Sequence, residues 1–197
     1  MLDYYLKHLA DIHNQQRIIL LDRDGNINED QGTYCYQPIS FIWIKAVKEA
    51  LIALHRNHYA IVIVTNQGGI AKGLFKPEDV DRVHNCMLAE LPKNVINAII
   101  YSPSSQKDYH WAKPNIGMFD VIKQQYAHAN WQNAAYVGDK QSDLEAAQRS
   151  DLTPILVRTG YGQDTEAIIK QQPSFFAFTT FDDLPSYVNH LLKHQPS

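Results

Sequence analysis

Two aspartates separated by one residue close the first apolar run of this chain: Ile18-Ile-Leu-Leu-Asp22-Arg-Asp24-Gly25. Four consecutive apolar residues read as a short buried strand. Ligands of open α/β sheets bind beyond the carboxyl ends of the strands, so a carboxylate pair there is placed for chemistry. Such a pair can bind a divalent cation, attack an electrophile, or divide acid and base roles. The same D-x-D-G run also suits an Asx-turn that merely closes a strand. Residues further along decide between the two.

Three later apolar runs also end in chemically useful groups. Ile61–Val64 leads into Thr65-Asn66-Gln67-Gly68-Gly69, a hydroxyl and a glycine-rich turn able to present O–H and N–H groups to an anion. Ile99–Tyr101 leads through a loop to Lys113-Pro114, where the proline holds the preceding residue extended ahead of a helix. Tyr136-Val137 leads to Gly138-Asp139-Lys140-Gln141-Ser142-Asp143. There Asp139 at the strand end is the better metal ligand, and Asp143 suits a helix cap.

The elements that must carry these groups alternate. Strands are expected at 17–21, 60–64, 98–101, 134–137 and 154–157, with a sixth at 175–178. Helices are expected at 44–57, 77–91, 116–129 and 141–150. Pro77 followed by Glu78 and Asp79 suits a helix start. The pattern predicts an α/β fold: a doubly wound, Rossmann-like parallel sheet with helices on both faces. Leu2, Tyr5, Leu6, Leu9 and Ile12 lie at helical spacing and predict an N-terminal helix over 2–14. A closing helix is expected over about 184–194. The whole of 1–197 is expected to form one domain with its core at about 17–160.

Bulk properties exclude several classes. A formal net charge of −3 argues against a nucleic-acid partner, which needs a basic face. No stretch approaches the roughly 20 apolar residues of a membrane span. The first residues lack a secretion signal, so a cytoplasmic location is expected. Two cysteines, Cys35 and Cys86, support neither a disulfide framework nor a four-cysteine zinc site.

In this order, D-x-D-G, Thr, Lys-Pro and G-D-x-x-x-D resemble the haloacid dehalogenase superfamily of Mg²⁺-dependent phosphohydrolases across about 17–160. The wording of the motifs is most similar to the D-glycero-D-manno-heptose-1,7-bisphosphate phosphatases, and the related histidinol-phosphatase domains share much of it. The resemblance implies Asp22 as nucleophile and Asp24 as general acid and base. It implies Mg²⁺ on Asp22, the Asp24 backbone carbonyl and Asp139, with phosphate held by Thr65, Asn66 and Lys113. The implied substrate is heptose 1,7-bisphosphate, losing its 7-phosphate, or a related small phosphorylated metabolite. Histidinol phosphate, another small monoester, or phospholigand binding with little turnover are the alternatives. The spacings leave no room for a cap domain, so the site is expected to be open. Asn28, Tyr34, Gln67, His110 and Lys140 are then candidates for substrate contact. A monomer or weak dimer is expected.

One departure stands out. The family's zinc loop before Lys-Pro is shortened here, and its ligand positions correspond to Ser102, Ser104, Tyr109 and Trp111. Without thiolates no structural zinc is expected, and packing by Tyr109 and Trp111 would hold the loop instead. The family arginine before Lys-Pro is Ala112, which removes a bidentate anion contact. Other tempting residues read as ordinary. His190 and His194 lie on a solvated helix face, His55 and His58 near a helix end, and Phe175, Phe176 and Phe178 in a core strand.

Overall fold

The apolar runs pair into one seven-stranded sheet in the order β1-β4-β3-β2-β5-β6-β7. The strands are β1 (Tyr5–His8), β2 (Arg17–Leu21), β3 (Tyr59–Asn66), β4 (Ala98–Ser102), β5 (Asn130–Gly138), β6 (Thr153–Val157) and β7 (Thr179–Phe181). All pairs are parallel except β1 with β4, which is antiparallel. The structure is a computed structural model that describes residues 2–172 and 174–194; residues 1, 173 and 195–197 lie outside the described set.

Alternation along each strand divides the core into two layers. Ile19 and Leu21 of β2 face α1 (Val47–Arg56), α2 (Pro77–Ala89) and α6 (Leu184–Lys193) through Leu51, Leu54, Val83, Met87 and Leu184. Ile18 and Leu20 face the other way, onto Phe119 and Ile122 of α3 (Gly117–Gln125) and Ala146 and Ala147 of α4 (Gln141–Arg149). Ile169 of α5 (Gly162–Ile169) packs on Leu144 and Leu156. Strand β2 lies between β3 and β5, where the winding reverses. A crevice therefore opens beyond its carboxyl end, which is where Asp22 stands. The segment between β3 and β4 holds α2 alone, so no cap is inserted there.

The N-terminal helix expected over 2–14 is instead strand β1. Spacing alone fitted a helix, but β4 presents an open edge whose backbone groups need partners, and pairing Tyr5 with Tyr101 supplies them. Tyr5 also stacks on Tyr101, with ring centroids 4.8 Å apart. Ile12 reaches the core while Leu2 stays exposed, so the stripe is not one buried face. The sheet is therefore mixed at this edge rather than wholly parallel. The strand expected at 175–178 is a loop. Its phenylalanines still cover Leu144, Leu156 and Ile169, and the strand forms just after it, at Thr179–Phe181. Helix α5 was not anticipated. No helix among the described residues is long and apolar enough to cross a membrane.

Asn97 ties β1's exit to the sheet. Its side-chain oxygen accepts from Ile61 N–H at 3.0 Å, and its amide donates to the Asp11 carbonyl at 2.9 Å. Replacement by alanine leaves both backbone groups without a partner. Asn97→Ala is expected to lower unfolding stability by about 1–3 kcal/mol in urea denaturation. A variant with wild-type stability would show the bridge to be dispensable.

Candidate active site

Lys113 sits at the centre of the crevice, 4% exposed. Its ammonium lies 2.8 Å from Asp22 Oδ1 and 2.7 Å from Asp143 Oδ1, and donates to the Tyr136 hydroxyl at 2.7 Å. Tyr136 in turn donates to the Val64 carbonyl at 2.7 Å. Asn66 fixes the lysine's backbone: its Oδ1 accepts from Lys113 N–H at 3.0 Å and its amide donates to the Lys113 carbonyl at 3.2 Å. Burial disfavours the charged lysine, but Asp143 and Asp22 outweigh that and raise its pKa. Burial raises the pKa of Asp22 while Lys113 pulls it down.

Asp139 completes an acidic trio. Asp22, Asp139 and Asp143 each offer an oxygen within 4.8 Å of the others, and all three are buried. Asp139 Oδ2 accepts from Tyr161 N–H at 2.8 Å, while its Oδ1 is buried with no hydrogen-bond partner. Burial pushes the Asp139 carboxyl well above the usual carboxylate range, and Asp143 and Asp22 add to the effect. Clustered hard oxygens with one left unpaired suit a divalent cation such as Mg²⁺. The space around Asp139 is set by two glycines. A Cβ on Gly25 would lie 2.3 Å from Asp139 Oδ2, and one on Gly160 would lie 2.2 Å from it. Both glycines have positive φ, +81° and +56°.

Asp24 stands beside the trio, held by a second network. Arg23 is fully buried and folds back so that its guanidinium bonds both carboxylate oxygens of Asp24, at 2.9–3.1 Å. Asn28 donates to Asp24 Oδ1 at 3.0 Å and Gln67 to Oδ2 at 3.0 Å. Burial would raise the Asp24 pKa, but Arg23, Asn28 and Gln67 together hold it below the usual carboxylate range. Behind Arg23 lies His84, fully buried, its Nε2 3.1 Å from the guanidinium. Burial and Arg23 keep this imidazole neutral, with a pKa well below its ordinary 6.5.

The expected groups therefore converge, with exceptions. A cavity of about 340 Å³ is lined by Asp22, Asp24, Thr65, Asn66, Lys113 and Asp143, together with Tyr34, Lys107 and Lys140. Asn28 and Gln67, expected to meet substrate, are buried instead and their amides are committed to Asp24. His110 does not line this cavity; its ring packs edge-on against Trp111. Asp143 does more than cap its helix. One oxygen accepts from Lys140 N–H at 2.9 Å while the other pairs with Lys113. Sequence reasoning missed Arg23, Tyr136 and Lys107. An arginine between two acids after an apolar strand was a usable signal for the first.

Comparison with known proteins agrees with this geometry. A family profile described as polynucleotide kinase 3 phosphatase matches residues 17–156. The D-glycero-D-manno-heptose-1,7-bisphosphate 7-phosphatase of Chlorobaculum tepidum is 31% identical, covering 92% of this chain and 96% of its own length. The corresponding enzyme of Haemophilus ducreyi is 34% identical over 88% of this chain and 99% of its own. The chain belongs to this haloacid dehalogenase-type phosphatase family. A crystal structure of the D,D-heptose 1,7-bisphosphate phosphatase from Bordetella bronchiseptica, complexed with magnesium and phosphate, superposes with a TM-score of 0.82. It is 31% identical and covers 91% of this chain and 99% of that one.

Within this phosphatase frame the loop from Ser102 to Ala112 is fastened by polar and aromatic contacts. Ser102 Oγ donates to the Ser104 carbonyl at 2.8 Å, and Ser104 Oγ accepts from Gln106 N–H at 3.2 Å. Tyr109 donates to the Asp3 carbonyl at 2.8 Å, and Trp111 packs at a tilt against Tyr4, with ring centroids 4.5 Å apart. Tyr109 and Trp111 do hold the loop, but against the N-terminal arm, which the spacing had placed in a helix.

Two measurements probe these networks. Gly160→Ala forces Asp139 to move and is expected to weaken divalent-cation affinity about 10- to 100-fold in calorimetric titration. Unchanged affinity would mean the turn can yield without disturbing the carboxylate. Because the pKa of His84 is depressed on folding, its stabilising effect is full above pH 6.5 and is lost as pH falls below that value. Unfolding free energy should then decline with a slope approaching about 1.4 kcal/mol per pH unit from this one proton. His84→Asn should flatten that decline; a slope unaltered in the variant would assign it to other groups.

Proposed function

We propose that this protein is a Mg²⁺-dependent phosphatase that removes the 7-phosphate of D-glycero-D-manno-heptose 1,7-bisphosphate or a closely related sugar phosphate. The observation that carries the reading is Asp22 at the carboxyl end of β2, 2.8 Å from buried Lys113 and flanked by Asp139 and Asp143. A carboxylate attacking a phosphate dianion meets strong repulsion, so positive charge must be waiting in the site. Lys113 holds one such charge in place.

Asp22 attacks phosphorus, and the bond to the sugar oxygen breaks as an aspartyl-phosphate forms. Arg23, Asn28 and Gln67 keep Asp24 ionised before substrate arrives. The negative charge of the arriving phosphate favours its neutral form, so Asp24 takes up a proton as substrate binds and gives it to the leaving oxygen. A water then attacks the aspartyl-phosphate while Asp24 takes its proton back. Inorganic phosphate leaves and both carboxylates are restored. Thr65 and the Asn66 backbone hold phosphate oxygens throughout. Mg²⁺ on Asp22, Asp139 and the Asp24 carbonyl would supply the remaining positive charge when bound. Asp143 orients Lys113 and borders the same cation position.

Steady-state hydrolysis tests this on a panel of heptose 1,7-bisphosphate, histidinol phosphate, a 3′-phosphorylated oligonucleotide and p-nitrophenyl phosphate. The heptose ester is expected to have the highest kcat/KM. Chelation should abolish turnover and added Mg²⁺ should restore it. Asp22→Asn should reduce turnover to background, and Asp24→Asn should slow it about 10²- to 10⁴-fold. Preference for histidinol phosphate or the oligonucleotide would replace the substrate, and tight phosphate binding without hydrolysis would replace the enzyme with a binder.

A further inference from the structure

The three lysines that line the catalytic cavity are not equivalent. Lys113 is held between Asp22 and Asp143. Lys140 is paired with Asp30 at 3.1 Å, and the acids around it raise its pKa against the opposing effect of burial. Lys107 is exposed, lines the same cavity, and has no carboxylate partner among the described residues. It is the cation of this cavity that remains free to meet an anion.

Its backbone is nevertheless fixed. The Lys107 carbonyl accepts from Asn115 Nδ2 at 2.7 Å, and the same amide also donates to the Tyr109 carbonyl at 3.0 Å. Two residues earlier, Ser105 presses on the turn after β3, where a Cβ on Gly68 would lie 2.3 Å from its hydroxyl. Ala71 N–H donates to the Pro103 carbonyl at 3.0 Å, and Gln67 N–H to the Ser102 carbonyl at 2.8 Å. The loop is thus stitched to both the Thr65 and the Lys113 segments, and it delivers Ser105 and Lys107 to one wall of the cavity. The buried Ala112 methyl offers no charge of its own to that wall.

We infer that Lys107, with the Ser105 hydroxyl beside it, forms a subsite for a second anionic group of the substrate, remote from the phosphate that Asp22 attacks. It makes Lys107 a specificity-determining residue that favours bisphosphorylated sugars over monophosphates. This rests on the phosphatase reading above, because it takes the Asp22–Lys113 end of the cavity as the reacting end. An ammonium on a flexible stem neutralises a remote phosphate without contributing to the bond that breaks. Losing it should weaken binding of the bisphosphate and leave the chemistry of a simple monoester alone.

The test measures binding by calorimetry with Mg²⁺ in the Asp22→Asn background, where ligand is not consumed. Three matched pairs are compared: heptose 1,7-bisphosphate with the 7-phosphate, fructose 1,6-bisphosphate with the 6-phosphate, and glucose 1,6-bisphosphate with the 6-phosphate. At least one bisphosphate is expected to bind about tenfold or more tightly than its partner, in keeping with one charge-assisted contact. Adding Lys107→Ala should erase that preference, and Lys107→Arg should restore most of it. In the otherwise native enzyme, Lys107→Ala should leave hydrolysis of p-nitrophenyl phosphate within about twofold, since no bond-breaking contact is lost. Absence of preference in every pair, or a preference that survives in Lys107→Ala, overturns the subsite. Failure of the phosphatase reading would show separately, as absent turnover of every ester by the native enzyme.

Discussion

A buried ammonium flanked by two carboxylates governs this molecule. Lys113 touches Asp22 and Asp143 at 2.8 and 2.7 Å, and none of the three is more than 4% exposed. Burying one of these charges alone would cost several kcal/mol, so each requires the others in position. They come from three distant parts of the chain: the end of β2, the turn after the Ser102–Ala112 loop, and the first turn of α4. The parallel order β4-β3-β2-β5 brings those parts to one end of the sheet. Removing Lys113 would leave Asp22 and Asp143 buried without the cation they share.

A second constraint sits one residue further along. Arg23 is buried completely, and its charge is matched by Asp24 rather than by solvent. Gln67 and Asn28 complete the shell, and Gln67 also donates to Thr65 Oγ1 at 3.2 Å. The hydroxyl assigned to phosphate and the carboxylate assigned to proton transfer are therefore held by a single amide. Such preorganisation lowers the cost of aligning groups at the moment of reaction. It also explains why the turn after β3 carries Gly68 and Gly69: larger residues would collide with Ser105 and Phe75.

Much of this was legible in the chain because the signals were local. An apolar run ending in Asp, Thr or Gly-Asp marks a strand and the group it presents, as in β2, β3 and β5, while β4 and β6 were legible from their apolar runs alone. What escaped was whatever depends on the direction a side chain turns. Asn28 and Gln67 are polar residues next to motifs, and nothing in their spacing tells that they face inward to Asp24. Asp143 was legible as a helix cap, which uses one of its oxygens, but the pairing of the other with Lys113 was not. The N-terminal strand escaped because Leu2, Tyr5, Leu6, Leu9 and Ile12 suit a helix equally well, and only the open edge of β4, about 90 residues away in the chain, selects the strand.

That edge strand changes what the loop beside it can tolerate. The segment from Ser102 to Ala112 is tethered by Asp3, Tyr4 and Asn115 through hydroxyl, amide and indole groups. None of these groups is a thiolate, and together they tie the loop to two other parts of the chain, its first residues and Asn115. One wall of the cavity, the one carrying Ser105 and Lys107, thus leans on the first few residues of the chain, an arm that does not itself line that cavity.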